Sequence, residues 1–299
     1  MMKSKKIYLI VCVFFCIGIK AQGCSDAGVC SINNTYATDS IAKNAIEVST
    51  VFGAGESDVT YISPYVSYTR NFNERWSGSA KITSSFASGS FGDRGSIGDV
   101  FLTAHYKTRF NKVYKWSYTA GLKIPFNSSN LKINDHPLPL DYQSSLGTFD
   151  FIGSVNLTYK KLDFISALQL PVININANSY IAEYSRTTDF PTTNLFERRP
   201  DVLFRTTYTI ETRNSKFSFK PNVLFIYHLG EDTYEDIYGA RQAIKGSEGL
   251  TINGNLISAY SFKGGSLELS LATPFVVRDV RPDGLTRKYT IGIGYKTTF

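Results

Sequence analysis

The chain has 299 residues, of which 42% are hydrophobic, 14% aromatic and 19% charged, with a formal net charge of +7. Four of its 32 basic residues and none of its 25 acidic residues lie in the segment 1–22, so the remainder carries 28 minus 25, or +3. The basic balance comes mostly from that segment and predicts no nucleic-acid partner. A helical membrane protein is excluded too, because no later apolar run reaches the roughly 20 residues that a spanning helix needs.

The first 22 residues have the organisation of a secretory signal peptide. A lysine-rich stretch precedes an apolar run over residues 7–19, and small residues follow up to Gln22. This order of basic, apolar and small-residue regions is typical of export signals. We therefore expect cleavage near Ala21 or Gln22 and an exported mature chain.

Residues 23–43 are small and polar with no clear period, which fits either a periplasmic tail or a plug folded into a lumen. This segment contains Cys24 and Cys30, and two thiols in an exported chain favour a disulfide. The alternative is a lipid on Cys24, although Ala21 stands where lipoprotein signals usually have leucine. A metal site is not expected, because no histidine or second cysteine pair lies nearby.

The remainder, residues 44–299, alternates between apolar and polar side chains with a period of two. Such alternation predicts strands with two unlike faces. About twelve segments show it, and an even number brings both chain ends to one side of a barrel. The predicted strands are roughly 44–53, 58–71, 76–88, 97–109, 114–126, 148–160, 162–173, 200–212, 216–228, 248–262, 266–277 and 287–299.

The connections between these strands fall into a short and a long class that strictly alternate. This order is typical of an up-and-down barrel with tight periplasmic turns and longer outer loops, whereas Greek-key sandwiches mix lengths at both ends. The short connections are 72–75, 110–113, 160–161, 213–216 and 263–265; the long ones are 54–57, 89–95, 127–146, 174–199, 230–246 and 278–286. The fold expected is an all-β, antiparallel, transmembrane up-and-down barrel in the outer membrane.

Charged residues repeatedly fall on the strand face opposite the large apolar side chains. In 114–126, for example, Trp116, Tyr118 and Leu122 alternate with Lys115 and Lys123. A soluble sandwich would turn such charges outward, so the pattern favours a polar lumen inside an apolar wall. The candidates expected to face the lumen are Lys81, His105, Lys107, Arg109, Lys123, Asp150, Asp163, Arg205, Glu211, Lys220 and Glu268. They carry both signs and could be paired wall structure or a field that guides a solute.

The last strand, 287–299, alternates strictly and ends on Phe299. It is expected to close the barrel by pairing with residues 45–50, and Phe299 would then lie where assembly machinery can bind it. Aromatic residues cluster beside the short connections, which predicts a girdle at one membrane interface. They are Tyr68, Phe72, Trp76, Phe110, Tyr114, Trp116, Tyr159, Phe217, Tyr260, Phe262, Tyr295 and Phe299.

The middle of the chain resembles the outer-membrane barrel family named after the meta pathway of phenol degradation, a distant relative of fatty-acid and aromatic-hydrocarbon channels. The resemblance rests on residues 97–106, which begin Ile97-Gly98-Asp99-Val100-Phe101, on Gly121-Leu122-Lys123-Ile124-Pro125, and on Leu146-Gly147-Thr148-Phe149-Asp150 with the strand that follows it. Phe126-Asn127 stands where the family has Thr-Gly. The resemblance implies passage of small hydrophobic or aromatic compounds across the outer membrane.

Few residues suggest catalysis. His105, His136 and His228 are the only histidines, and none has a local serine pattern of the kind that outer-membrane hydrolases require. The four carboxylates of the loop 231–236 lack calcium-loop spacing and are expected to be solvated. No cofactor, metal or enzymatic activity is predicted.

Three functions remain open. The first is a monomeric barrel, surrounded by outer-membrane lipid, that lets a small solute pass without energy coupling; the resemblance implies a hydrophobic or aromatic one. The second is a closed barrel that serves as a structural or docking component, with outer loops such as 174–199 as its contact surface. The third is a lipid hydrolase, which predicts turnover that depends on His105 or His228.

Overall fold

The computed structural model describes residues 42–55, 57–108, 113–185, 187–214, 216–283 and 287–299. The predicted signal peptide, the predicted Cys24–Cys30 disulfide and nearly all of the predicted tail or plug lie outside these residues, as do Arg109 and Phe110. Within the described residues no helix is long and apolar enough to cross a membrane.

Twelve long strands form the wall, and the eighth is interrupted at Thr209 and continued by the pair Ile210–Glu211. We number them in chain order: β1 Asn44–Gly55, β2 Thr60–Asn71, β3 Trp76–Gly89, β4 Gly92–Lys107, β5 Tyr114–Pro125, β6 Thr148–Tyr159, β7 Leu162–Asn174, β8 Asp201–Tyr208, β9 Phe217–His228, β10 Gly249–Phe262, β11 Gly265–Val276 and β12 Arg287–Thr298.

Each strand pairs antiparallel with the next along the chain, and the sheet closes on itself. The closing pair is β1 with β12, in a register that sets Ala45 opposite Thr298 and Thr50 opposite Ile293. Closure leaves no strand edge unpaired, which is the condition for crossing a bilayer with strands. The predicted antiparallel barrel and the predicted pairing of its last strand with residues 45–50 are confirmed.

The predicted strict alternation of connection lengths is wrong at two places. The first predicted long connection, 54–57, lies between Gly55 and Thr60 and has four residues, as many as the predicted short connection 72–75. Gly89 pairs with Gly92, so the expected long loop 89–95 is a two-residue turn, Ser90-Phe91, at the tip of a long hairpin. Gly92 has a φ of 101°, a conformation that glycine adopts at little cost. The strands continue beyond the expected membrane limit because the Phe91 ring packs against Tyr142, Tyr180 and Phe190 in the loops, with ring centroids 5.7–6.0 Å apart.

The outer wall of the barrel is apolar, with large side chains exposed on every strand. In β2, Ile62, Val66 and Tyr68 point outward while Tyr61 is buried. Rings contact each other around the short-turn end, for example Trp76 with Tyr106 at 4.8 Å and Phe217 with Tyr260 at 4.7 Å. An apolar belt with an aromatic girdle is the lipid-facing surface of an outer-membrane barrel.

The other end of the barrel is covered by the long connections, which we call the lid: residues 126–147, 175–200, 229–248 and 277–286, as far as they are described. The lid has its own apolar core, in which Leu140, Phe196 and Ile244 come from three different connections. A second cluster joins the lid to the wall, since Leu138, Tyr142 and Tyr180 pack with Val59 and Ala87. Because these side chains are buried, the lid is a packed layer over the long-loop end of the barrel.

Candidate functional site: the lumen and its lid

The predicted lumen residues lie on the inner face, and most of those near the lid are more buried than those near the short turns. Near the short turns Glu211 is exposed, and Lys81, Lys107, Asp163, Lys220 and Glu268 are half-buried. Toward the lid, Lys123 and Asp150 are buried, and Arg205 is buried in the middle of β8. His105 is buried too, although it lies only two residues from the short-turn end of β4, opposite Ser77. The interior therefore has two zones, an accessible vestibule at the short-turn end and a filled zone below the lid.

The vestibule contains charges of both signs that solvent reaches. The Tyr65 hydroxyl donates to Glu47 Oε1 at 2.6 Å, and Lys81 Nζ stands 3.8 Å above the centre of the Tyr65 ring. Lys296 faces Glu47 across the β1–β12 pair and is half-buried as well. Such an arrangement holds the charges in place while leaving water around them.

In the filled zone Lys123 is the centre of a buried ion-pair network. Its Nζ lies 2.9 Å from Asp150 Oδ2 and 3.9 Å from Asp99 Oδ2, and it donates to Thr148 Oγ1 at 2.8 Å. Lys123 is 2% exposed and Asp150 is fully buried. A charge buried this completely needs its partners, so we assign Lys123 a structural role: it links β5 to Asp99 of β4 and Asp150 of β6.

His105 is held between two threonines of the wall. Its Nε2 lies 2.8 Å from Thr103 Oγ1 and its Nδ1 lies 2.9 Å from Thr119 Oγ1. The ring is 1% exposed. Both ring nitrogens therefore face hydroxyls inside the wall, where no substrate can reach them.

One side of the filled zone is apolar. Phe101, Ile152, Ile165, Ala167, Leu203 and Leu224 form a buried cluster on the inner faces of β4 and β6–β9. The charge pattern of the sequence did not predict it, because small and apolar residues also occur among the inward positions. This cluster fills the lumen along that side of the wall.

Below the lid lies a group of buried charges that we call the ionic latch: Arg198, Asp201, His228, Asp232, Arg278 and Asp283. Arg198 bonds the Asp201 carboxylate and lies 3.7 Å from Asp283 Oδ2. Arg278 binds the same Asp283 oxygen at 2.9 Å. One carboxylate from the last lid connection is thus shared by two arginines, one of them from another connection.

The shared Asp283 carboxylate determines the charge state of the latch residues that lie in the lid connections. Burial alone would raise the pKa of Asp283, but Arg278 and Arg198 outweigh it and lower the pKa from 3.8 to about 2. Burial likewise opposes the charge of Arg198, yet Asp201 and Asp283 hold its pKa above the ordinary value. These residues are therefore ionised together at neutral pH.

His228 joins the latch to the wall at the end of β9. Its Nδ1 lies 2.7 Å from Asp201 Oδ1 and its Nε2 lies 2.8 Å from Asp232 Oδ1. The Asp232 amide donates to Ser247 Oγ at 2.8 Å, and that hydroxyl donates to the Ile244 carbonyl at 2.6 Å. Both ring nitrogens face carboxylates, so the imidazole is charged and donates a hydrogen bond from each nitrogen. The Ser247 hydroxyl is occupied by the Asp232 amide and the Ile244 carbonyl.

Sequence reasoning missed the latch, and its expectation of a solvated loop 231–236 is wrong for Asp232, which is fully buried against His228. The latch residues lie in connections without a period, so alternation gives no information on them. One signal was present: Arg-Pro-Asp occurs at residues 199–201 and again at 281–283. The aspartates of both copies belong to the latch.

Neither a protein-family model nor a curated protein matches the chain. Among solved structures it is similar to the NanC porin, at 11% identity over 85% of this chain and 98% of that one, with a TM-score of 0.46. It is also similar to the translocator domain of the autotransporter NalP from Neisseria meningitidis, at 9% identity, 91% and 93% coverage, and a TM-score of 0.47. A third is the outer membrane phospholipase A from Escherichia coli, at 8% identity, 89% and 93% coverage, and a TM-score of 0.42. Likenesses this low carry no conclusion about function.

The class of protein follows from the chain's own geometry: it is a closed outer-membrane β-barrel of twelve strands with a packed lid. Among its described residues no group of three or more His, Cys, Asp or Glu side chains could hold a metal ion.

Proposed function

We propose that the barrel lets a small solute pass through its lumen without energy coupling, and that the lid controls this passage. The observation that carries the proposal is the vestibule, where Lys81, Lys220 and Glu268 are half-buried rather than packed away. A barrel that served only as a scaffold does not need a partly exposed, charged recess inside its wall. The described structure corresponds to the closed state.

The solute class that we propose is small and hydrophobic or aromatic. The resemblance of residues 97–106, 121–125 and 146–150 to the meta-pathway barrels supports it. The buried apolar cluster around Phe101 and Leu224 also supports it, because an apolar solute that displaced part of this packing would still meet an apolar wall.

Solute flux into liposomes tests the proposal. Liposomes that contain the purified barrel should take up a small aromatic compound faster than protein-free liposomes, and a variant with a loosened lid should be faster still. A folded barrel that passes neither aromatic compounds nor ions, with or without its lid intact, would refute the proposal.

A closed docking barrel is the second candidate, and the packing of the lid favours it. Leu140, Phe196 and Ile244 give the lid a core of its own, which a purely mobile gate would not need. This candidate predicts no flux in any variant together with a stoichiometric partner that co-purifies with the barrel.

The hydrolase hypothesis has less support. His105 faces two threonines inside the wall and His228 faces two carboxylates, so neither ring bonds a serine hydroxyl within the part of the chain that is described. A general base needs such a bond to activate its nucleophile. We therefore expect no phospholipid turnover by the purified protein.

A further inference from the structure

A row of small residues crosses the lipid-facing wall on four adjacent strands. The strand registers set Gly78 of β3 opposite Ala104 of β4, Ala104 opposite Ala120 of β5, and Ala120 opposite Gly153 of β6. On the neighbouring strand β2, Arg70 stands opposite Gly78 and continues the row. Because directly paired residues share a face, all five point away from the lumen.

Large side chains stand on both sides of this row. Leu102, Leu122 and Phe151 are paired in register on the lid side, and Trp76, Tyr106 and Tyr118 on the short-turn side. Between them lies a groove of about 650 Å³, bordered at its β2 end by Tyr68 and Phe72. The wall groove, as we call it, is thus a recess in a wall that elsewhere presents large apolar side chains.

The wall groove climbs into the membrane. The distance of each row residue from the short-turn end of its strand increases along the row. It is one residue for Arg70 in β2, two for Gly78 in β3, three for Ala104 in β4, and six for Ala120 in β5 and Gly153 in β6. With neighbouring strands about 4.8 Å apart, the row is about 19 Å long. It begins at the interface and ends in the apolar belt.

The opening of the wall groove is cationic. Arg70 is exposed and forms no ion pair with the described residues. It lies at the level of Tyr68 and Phe72, within the aromatic girdle, where lipid headgroups are found. The short-turn end of such a barrel faces the periplasm.

We propose that the wall groove binds one anionic phospholipid of the periplasmic leaflet, with its headgroup phosphate at Arg70 and an acyl chain along Gly78, Ala104 and Ala120, as far as the Phe151 ring, which covers Gly153. An arginine pairs well with phosphate because its N–H donors match the oxygens in geometry and charge. The recess admits a chain that bulkier neighbours would exclude. This site is outside the lumen and does not depend on the proposed passage of a solute.

Native mass spectrometry of the detergent-purified full chain tests this site, with phosphatidylglycerol and phosphatidylcholine as probes. One phosphatidylglycerol should bind at least tenfold more tightly than phosphatidylcholine. Arg70→Gln should remove this preference, and Ala104→Leu should weaken both lipids at least tenfold by filling the groove. The matched controls are Arg213→Gln, which removes a cation at another short turn, and Val223→Leu, which adds bulk to the wall at β9; both should bind as the wild type does.

Each variant is first checked for a gel shift between boiled and unboiled samples, so that only folded barrels are compared. If Ala104→Leu does not fold, Ala120→Leu fills the same groove from the next strand. Equal binding of both lipids to the wild type and Arg70→Gln would overturn the proposal. A dimer that Ala104→Leu dissociates would overturn it too, because the groove would then be a contact between two copies.

Discussion

Asp283→Asn removes the one carboxylate that both arginines of the latch share. The substitution keeps the size of the side chain and leaves Arg198 and Arg278 buried with one negative charge fewer. Burial alone would raise the pKa of Asp283, yet the two arginines lower it from 3.8 to about 2. At 1.36 kcal/mol per unit, this shift is worth about 2.5 kcal/mol at neutral pH.

A second estimate comes from buried ion pairs in general, where removal of one partner costs about 3–5 kcal/mol. The two estimates together predict that Asp283→Asn destabilises the closed lid by about 2–5 kcal/mol, which corresponds to a shift of about 30- to 4,000-fold toward open states. Ion conductance in planar bilayers measures this shift as an increase in the open fraction.

The matched control is Arg241→Ala. Arg241 bonds Glu197 at 3.0 Å between two lid connections, but the two side chains are 38% and 45% exposed. An exposed pair is worth about 0–1 kcal/mol, so this variant should conduct almost as the wild type does. If Asp283→Asn folds and conducts no more than Arg241→Ala, the latch does not hold the lid closed.

Three further predictions concern acid, charge selectivity and wall stability. Because the pKa of Asp283 is lowered, its contribution to the stability of the closed lid is complete above the ordinary pKa of 3.8 and is lost as the pH falls toward about 2. Wild-type conductance should therefore rise between pH 3.8 and about 2. The rise should be smaller for Asp283→Asn. The vestibule residues Lys81, Lys107, Lys220 and Lys296 stand against Glu47, Asp163 and Glu268, with Glu211 exposed near the same end. Lys220→Glu should therefore move the reversal potential in a salt gradient toward cation preference, whereas Lys220→Arg should retain the wild-type value. Lys123→Ala leaves Asp150 buried without its cation and should destabilise the barrel by about 3–5 kcal/mol in denaturant titrations, whereas Lys115→Ala, at an exposed position, should change stability by less than about 0.5 kcal/mol.

Much of the wall could be predicted from the sequence because strand pairing has a strict local signal. A period of two assigns each side chain to a face, and one polar face with one apolar face leaves few possible registers. The pairing of β12 with residues 45–50 follows from closure alone. The turn at Ser90-Phe91 was not predicted, because the glycine-rich residues around it are typical of a loop. The two strands extend to this turn because the Phe91 ring packs against the lid.

The lid and the latch could not be predicted in this way. Asp283 meets Arg198 across 85 positions of the chain, counted from the residue numbers, and no local pattern connects them. Such contacts depend on how the lid connections fold over the barrel, and composition suggested solvated loops instead. The buried apolar cluster around Phe101 was missed for a related reason. Each strand contributes only one or two inward apolar residues to it, so the apolar–polar alternation of each strand stays recognisable and gives no sign of a cluster.

The most direct test of the account is to block the lumen from within. Lys220 faces the vestibule, whereas Leu256 on the neighbouring strand faces lipid, so Lys220→Cys and Leu256→Cys place a thiol on opposite faces of the same wall. In planar bilayers a bulky, charged thiol reagent added on the short-turn side should abolish most conductance of Lys220→Cys in the Asp283→Asn background and leave Leu256→Cys and the parent variant unchanged. Conductance of Lys220→Cys that survives complete labelling would show that solute and ions do not pass through the lumen.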